Sequence, residues 1–300
     1  MIQQIAVPDR AIVHDEGSGK AREIAPDLAY RRLAIVNVVF YGQPGAGDRN
    51  WVLIDAGLYG TKGLIKAAAA ERFGADARPA AIIMTHGHFD HIGALEELAE
   101  EWDVPVYAHR LERPYLSGEA SYPPGDPSVG GGVMAAMAGF YPRGPIDLGH
   151  RLYDLPDDGD VPAMPGWRWI HTPGHSVGHV SLWRESDRAL IAGDAFVTTA
   201  QESAVAAALQ SAEMHGPPMY FTIEWDKAAA SVAALAALRP ELAITGHGRT
   251  MRGPQMRVAL ELLAKDFNSV AVPQHGRYLI SPARAEDGTA YVRRDQSVTQ

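Results

Sequence analysis

The chain has 300 residues, 46% of them hydrophobic and 21% charged, a globular balance that excludes a disordered chain and is long enough to bury a sizeable core. It contains no cysteine, which excludes disulfides, thiolate metal sites and cysteine nucleophiles. The net charge of −9 comes without a block of lysine or arginine, so a nucleic-acid partner is not expected.

No apolar run is long enough to span a bilayer. Met1 to Arg10 has no basic stretch ahead of an apolar one, so neither a membrane partner nor a secretory leader is expected and the cytoplasm is the simplest address. Without repeats or low-complexity linkers, one domain over residues 1–300 is expected.

Leu33 to Tyr41 reads as a buried strand and Trp51 to Ile54 as a second. The turn-rich Gln43 to Asn50 between them makes a hairpin. Thr61 to Phe73 has a helical pattern stopped by Gly74. Ala80 to Met84 is a short strand, Ile92 to Trp102 a helix with Leu95 and Leu98 on its apolar side, and Val104 to Tyr107 a strand. Tyr115 to Pro145, rich in proline and broken by Gly130 to Gly132, is too long for a simple connection. Its Met134, Met137, Phe140 and Tyr141 suit a lid over an apolar cavity, inserted at 115–145. Strands follow at Trp167 to His171, Val180 to Trp183, Ala189 to Ala192 and Leu242 to Ile244. Asp226 to Leu238 reads as a helix with Asp226 as its N-cap. Pro254 suits the first turn of a final helix, where Met256, Leu260, Leu263 and Phe267 recur at helical spacing. A C-terminal extension from about residue 270 is strand-like at Tyr278 to Ile280 and Tyr291 to Val292.

Five of the twelve histidines lie beside acids in loops that end these strands. His86-Gly87-His88-Phe89-Asp90-His91 follows Ala80 to Met84 directly. Four metal-binding side chains in six residues cannot share one face of a strand or helix, but a loop lets them converge on cations. Imidazole and carboxylate suit zinc, with iron or manganese as alternatives. His175 in Thr172-Pro173-Gly174-His175, Asp194 in Gly193-Asp194-Ala195 and His247 in Gly246-His247-Gly248 also end predicted strands. A small neighbour there lets the backbone turn tightly, and a rigid scaffold holds the ligand.

THGHFDH, TPGHSVGH, GDA and TGHG, in this order, resemble the metallo-β-lactamase fold superfamily from about Leu33 to Arg252. The resemblance implies a four-layer αββα sandwich of the α/β class, with two divalent cations in a groove at one edge. It implies that His86, His88 and His175 hold one metal, that Asp90, His91 and His247 hold the other, and that Asp194 bridges them. A hydroxide shared by the metals is then the nucleophile, with Asp90 and Asp194 as catalytic residues.

The superfamily's flavodiiron reductases carry an acid where this chain has His88, and true β-lactamases use a cysteine or lack the bridging acid where Asp194 stands. Its nucleases carry an added domain and a basic surface. These differences leave small esters and lactones as the expected substrates, HFDH resembling the acyl-homoserine lactonases. Thioester hydrolysis of the glyoxalase II kind and iron chemistry of the persulfide dioxygenase kind are alternatives. A metal-binding module without turnover is a fourth, set aside because the ligand set is full. Val197 stands where lactonases of that group place a tyrosine, and Thr245 to Arg249 lacks the Cys-Gly-His-Glu-Tyr segment of glyoxalase II. His179 is expected to orient a metal ligand, with substrate contact as the alternative, and Asp55 to support the histidine loop or serve a plain turn; Phe196 packs in the core or lines a pocket, and Arg249 is solvated or meets an acidic substrate group. The expected partners are a small-molecule substrate and a second copy of the chain in a homodimer.

Overall fold

Alternation along each strand sorts the side chains into layers. The computed structural model describes residues 5–13, 20–209 and 211–293. A seven-stranded sheet runs in the order Arg22–Ala25, Leu28–Leu33, Val36–Tyr41, Val52–Ile54, Ala81–Ile83, Val106–Ala108, Leu152–Asp154. Its first three pairings are antiparallel and its last three parallel. A five-stranded sheet runs Trp167–His171, Val180–Arg184, Ala189–Gly193, Leu242–Thr245, Met251–Arg252, with one parallel pair, Ala189–Gly193 on Leu242–Thr245.

Val52, Ile54 and Ile83 of the first sheet meet Leu182, Ile191 and Ile244 of the second in one core. The intervening residues Leu53 and Ile82 point the other way, into a core with Ile65, Ala68 and Phe73 of helix Lys62–Phe73 and Leu95, Leu98 and Trp102 of helix Leu95–Trp102. On the far side, Leu190, Ala192 and Ala243 pack on Val232 and Leu235 of helix Trp225–Ala237 and Leu260 and Leu263 of helix Gly253–Lys265. The result is helix, sheet, sheet, helix: the expected αββα sandwich. Each fully buried Leu or Ile contributes about 1.5–3 kcal/mol to it. Among the described residues, no helix is long and apolar enough to cross a membrane.

Several local expectations change. The run Leu33 to Tyr41 is the end of one strand, a turn, and a second strand: Leu28–Leu33 pairs antiparallel with Val36–Tyr41, and Ala34 reverses the chain at φ 58°. Both strands are largely buried, so no polar alternation marks the break. The helix expected from Ile92 begins at Leu95, and a separate helical turn, Phe89–Ile92, carries Asp90 and His91. Asp226 is not the N-cap: that position is Glu224, and Asp226 lies in the first turn, where a carboxylate still favours the helix dipole. Pro254 does open its helix, but short turns follow at Phe267–Val270 and Arg277–Ile280. The expected strand Tyr278 to Ile280 is therefore helical. It is held by the inserted segment, with the Arg277 amide donating to Asp126 and the Tyr278 hydroxyl to the Pro124 carbonyl. Val292–Arg293 pairs with Ala120–Ser121 of that segment, so the C-terminal extension packs across it.

Candidate metal centre

The expected ligands converge where the two sheets meet. His86 and His88 leave the end of strand Ala81–Ile83, and Asp90 and His91 follow in the helical turn Phe89–Ile92. His175 lies between Trp167–His171 and Val180–Arg184, while Asp194 and His247 directly follow or nearly follow Ala189–Gly193 and Leu242–Thr245. All seven side chains are buried. They form three groups with donor atoms within 4.8 Å of one another: His86, His88, His175; His86, His91, Asp194; and Asp90, His91, His247. Asp194 Oδ2 stands 3.5 Å from His175 Nε2, 3.6 Å from His91 Nε2 and 3.1 Å from His247 Nε2. One carboxylate thus touches both the three-histidine group and the Asp90 group.

Hydrogen bonds on the outer ring nitrogens aim the inner ones. His91 Nδ1 bonds Asp55 Oδ2 at 2.8 Å, His247 Nδ1 the Ile35 carbonyl at 2.7 Å, and His175 Nδ1 Thr222 Oγ1 at 3.3 Å. Each leaves Nε2 facing the centre. His88 is turned the other way, with Nδ1 2.9 Å from His175 Nε2. Such outer partners fix tautomer and ring angle in metal sites. Asp55, at φ 60°, also accepts the Thr85 amide and hydroxyl at 2.8 Å each, so of its two readings it takes the one that braces the histidine loop.

Burial, then the neighbouring histidines, holds the His86 and His88 imidazoles well below their ordinary pKa. Burial brings His175 down to about 4. Burial alone would raise Asp194, but His247 and His91 outweigh it and keep the carboxyl well below the usual range. Burial would lower His91 and His247 too, yet Asp194 pulls both up. Neutral imidazoles and ionised carboxylates are the forms that bind cations. The residues fit a metal by a second criterion. His86 Nε2, His91 Nε2 and Asp194 Oδ1 are buried without a hydrogen-bond partner, a costly state that a coordinated cation relieves. The fit is close: a Cβ at Gly246 would lie 2.0 Å from Asp194 Oδ1 and 2.8 Å from the His91 ring.

His179 makes no direct approach to the cluster's centre. Its Nε2 accepts the Asp194 amide at 2.8 Å, so Nδ1 carries the proton toward Thr172 Oγ1 at 2.9 Å. Burial holds its imidazole down to about 3. Of its two readings, Phe196 takes the core one. Phe196 is 0% exposed in the core under helices Trp225–Ala237 and Gly253–Lys265, with no surface to offer a substrate. The Arg249 side chain is exposed and forms no hydrogen bond or ion pair among the described residues, while its carbonyl accepts from Thr198. The lid residues divide. Met134 and Tyr141 pack inward, whereas Met137 and Phe140 are 46% and 81% exposed.

Tyr141 stacks on Phe89 at 5.0 Å, and the Phe221 ring lies 4.8 Å from that of His88, forming an aromatic wall beside the centre. The structure adds residues that sequence reasoning missed. Asn37 donates to the carbonyls of Thr245 and Gly248, holding the His247 loop. Glu112 and Tyr122 reach the His86–His88 loop. A lone glutamate after a strand or a tyrosine among prolines carries no periodic signal that would have marked them.

A family model described as metallo-beta-lactamase superfamily matches residues 31–247. The chain is similar to the probable metallo-hydrolase YflN of Bacillus subtilis (strain 168), 45% identical over 253 residues that span 84% of this chain and 96% of the relative. It is also similar to the probable metallo-hydrolase YybB of the same organism, 30% identical over 170 residues, 57% of this chain and 64% of the relative. Among solved structures, the archaeal metallo-beta-lactamase superfamily protein ST1585 from Sulfolobus tokodaii matches with a TM-score of 0.53 at 18% identity, covering 82% of this chain and 88% of that one. BJP-1, a subclass B3 metallo-beta-lactamase of Bradyrhizobium japonicum, matches with a TM-score of 0.55 at 18% identity, covering 83% and 92%. At these identities the structural likeness is one of fold.

Proposed function

Because the chain belongs to the metallo-beta-lactamase superfamily, we propose that it is a dinuclear metal-dependent hydrolase of small, neutral esters and lactones. The observation that carries this reading is Asp194 Oδ2, within 3.6 Å of inward-facing nitrogens from both groups of ligands. His86, His88 and His175 would hold one cation, Asp90, His91 and His247 the other, and Asp194 both, with zinc the first choice and iron or manganese the alternatives. Bound there, the pair supplies Lewis acidity, lowering the pKa of a shared water from about 15.7 toward 7 and stabilising an oxyanion.

The chain's own residues do the rest. Asp90 lies 3.4 Å from His247 Nε2 and would orient the attacking water. Asp194 is kept in position by its main-chain bond to His179. Phe89, Tyr141 and Phe221 offer an apolar wall to the acyl or ring portion of a substrate, as ligand pockets usually do. With a net charge of −9 and no basic block, the surface has little to draw a polyanion.

The test is a panel of lactones, oxoesters, thioesters, phosphodiesters and β-lactams presented to zinc-, iron- and manganese-loaded protein. Oxoesters or lactones should give the highest kcat/KM. Preference for thioesters would favour the glyoxalase II-like alternative, and preference for oligonucleotides would end the reading.

A further inference from the structure

We propose that Glu112 is a positioning residue that sets the spacing of the two loops supplying the three-histidine group, with Tyr122 of the inserted segment as its partner. The inference rests on reading His86, His88 and His175 as ligands of one cation.

Glu112 is 0% exposed and lies between the loops. Its Oε1 accepts the Ser176 hydroxyl and the Gly178 amide, both at 2.8 Å. Ser176 follows His175 immediately, and Gly178 comes two residues later. Its Oε2 accepts the Gly87 amide at 3.0 Å and the Tyr122 hydroxyl. Gly87 sits between His86 and His88, and its amide is also 2.8 Å from the Tyr122 oxygen. Four donors from three chain segments therefore end on one carboxylate, which fills its usual complement of lone pairs. No lysine, arginine or histidine forms an ion pair with it among the described residues, so its contacts serve the loops.

The close approach is built into the backbone. A Cβ at Gly87 would lie 2.8 Å from the Tyr122 oxygen, and one at Gly178 would lie 2.8 Å from Glu112 Cγ and from its main-chain nitrogen. Only glycine leaves room for the carboxylate to hold both amides. Tyr122 adds a wall: its ring lies 4.4 Å from that of His88. An acceptor-only group is what this geometry requires. Glutamine has the same shape but brings an NH2 to a place where two donors already point, so one loop must let go. His86 and His88 would then shift relative to His175, whereas His91, held by Asp55, and His247, held by the Ile35 carbonyl, would stay.

The experiment compares Glu112→Gln, Tyr122→Phe and Ser176→Ala with the unmodified full-length protein. Cobalt(II) is titrated in against a chelator, its visible absorption is followed, and thermal unfolding is measured without metal. The unmodified protein should bind two cobalt ions. In Glu112→Gln one of the two should bind about 10- to 100-fold more weakly with an altered absorption band, while the other keeps its affinity. Tyr122→Phe and Ser176→Ala should give smaller losses at that same site, and they carry the test should Glu112→Gln not fold. Unchanged affinities at both sites in all three would overturn the proposal. Equal loss at both sites, in step with a lower melting temperature of the metal-free protein, would overturn it as well by revealing a general structural role. An unmodified protein that binds no cobalt would instead refute the ligand reading, and the proposal with it.

Discussion

Asp194 and His179 are both buried histidine-cluster residues, yet their contacts give them different weights. Asp194 faces three imidazoles with one oxygen and has no partner for the other. Asp194→Ala should therefore lose at least one metal and lower turnover at least about a hundredfold, the scale of removing a main electrostatic element. His179 acts only through the Asp194 amide, so His179→Ala should cost about 10- to 100-fold. Metal analysis and kinetics on the two variants check the order, and equal small effects would contradict it. The seven candidate ligand positions, which the structure brings together, were legible in the sequence because histidine and aspartate stood beside small residues at the ends of apolar runs. Their supports were not, since Asn37, Glu112 and Thr222 act through side-chain hydrogen bonds to loops distant in sequence. Such bonds leave no local pattern.

At the scale of elements, the inserted segment offers one inward face and one outward face. Tyr141 stacks on Phe89, and its hydroxyl is 3.6 Å from Met134 Sδ, while Phe140 is exposed. Tyr141→Ala should raise KM for apolar or aromatic acyl substrates several-fold and leave metal content unchanged. Phe140→Ala should do neither, and steady-state kinetics on a chain-length series separates the two. The helices Lys62–Phe73 and Gly253–Lys265 were legible because each buries one face and has a clear stop or start, Gly74 and Pro254. The turn at Ala34 was hidden because strands buried on both faces read as one apolar run. The tail at Arg277–Ile280 was misread because its conformation depends on Asp126 and Pro124, some 150 residues earlier.

For the whole molecule, the two ligand groups predict about two transition-metal ions per chain by elemental analysis of protein purified without chelator. Stability should also depend on pH away from the metal centre. His109 stacks on His171 at 4.3 Å, and burial holds its imidazole down to about 4. The unfolded chain titrates near 6.5, so between that pH and about 4 it takes up a proton that the folded state refuses. Stability is thus lost as pH falls through this window, by at most on the order of 3 kcal/mol. His109→Gln should flatten that part of the melting-temperature profile, and a slope identical to that of the unmodified protein would refute the assignment. The split of ligands between the sheets has a last consequence, for the order of events during synthesis. His86, His88, Asp90 and His91 emerge early, but neither group closes before its member from the second sheet is made: His175 for one and His247 for the other. A nascent chain shorter than that cannot grip both ions. The three apolar cores, meanwhile, contain none of these side chains. Loading thus belongs to the finished chain, and a cell starved of metal should accumulate folded, inactive protein that recovers when the ion returns.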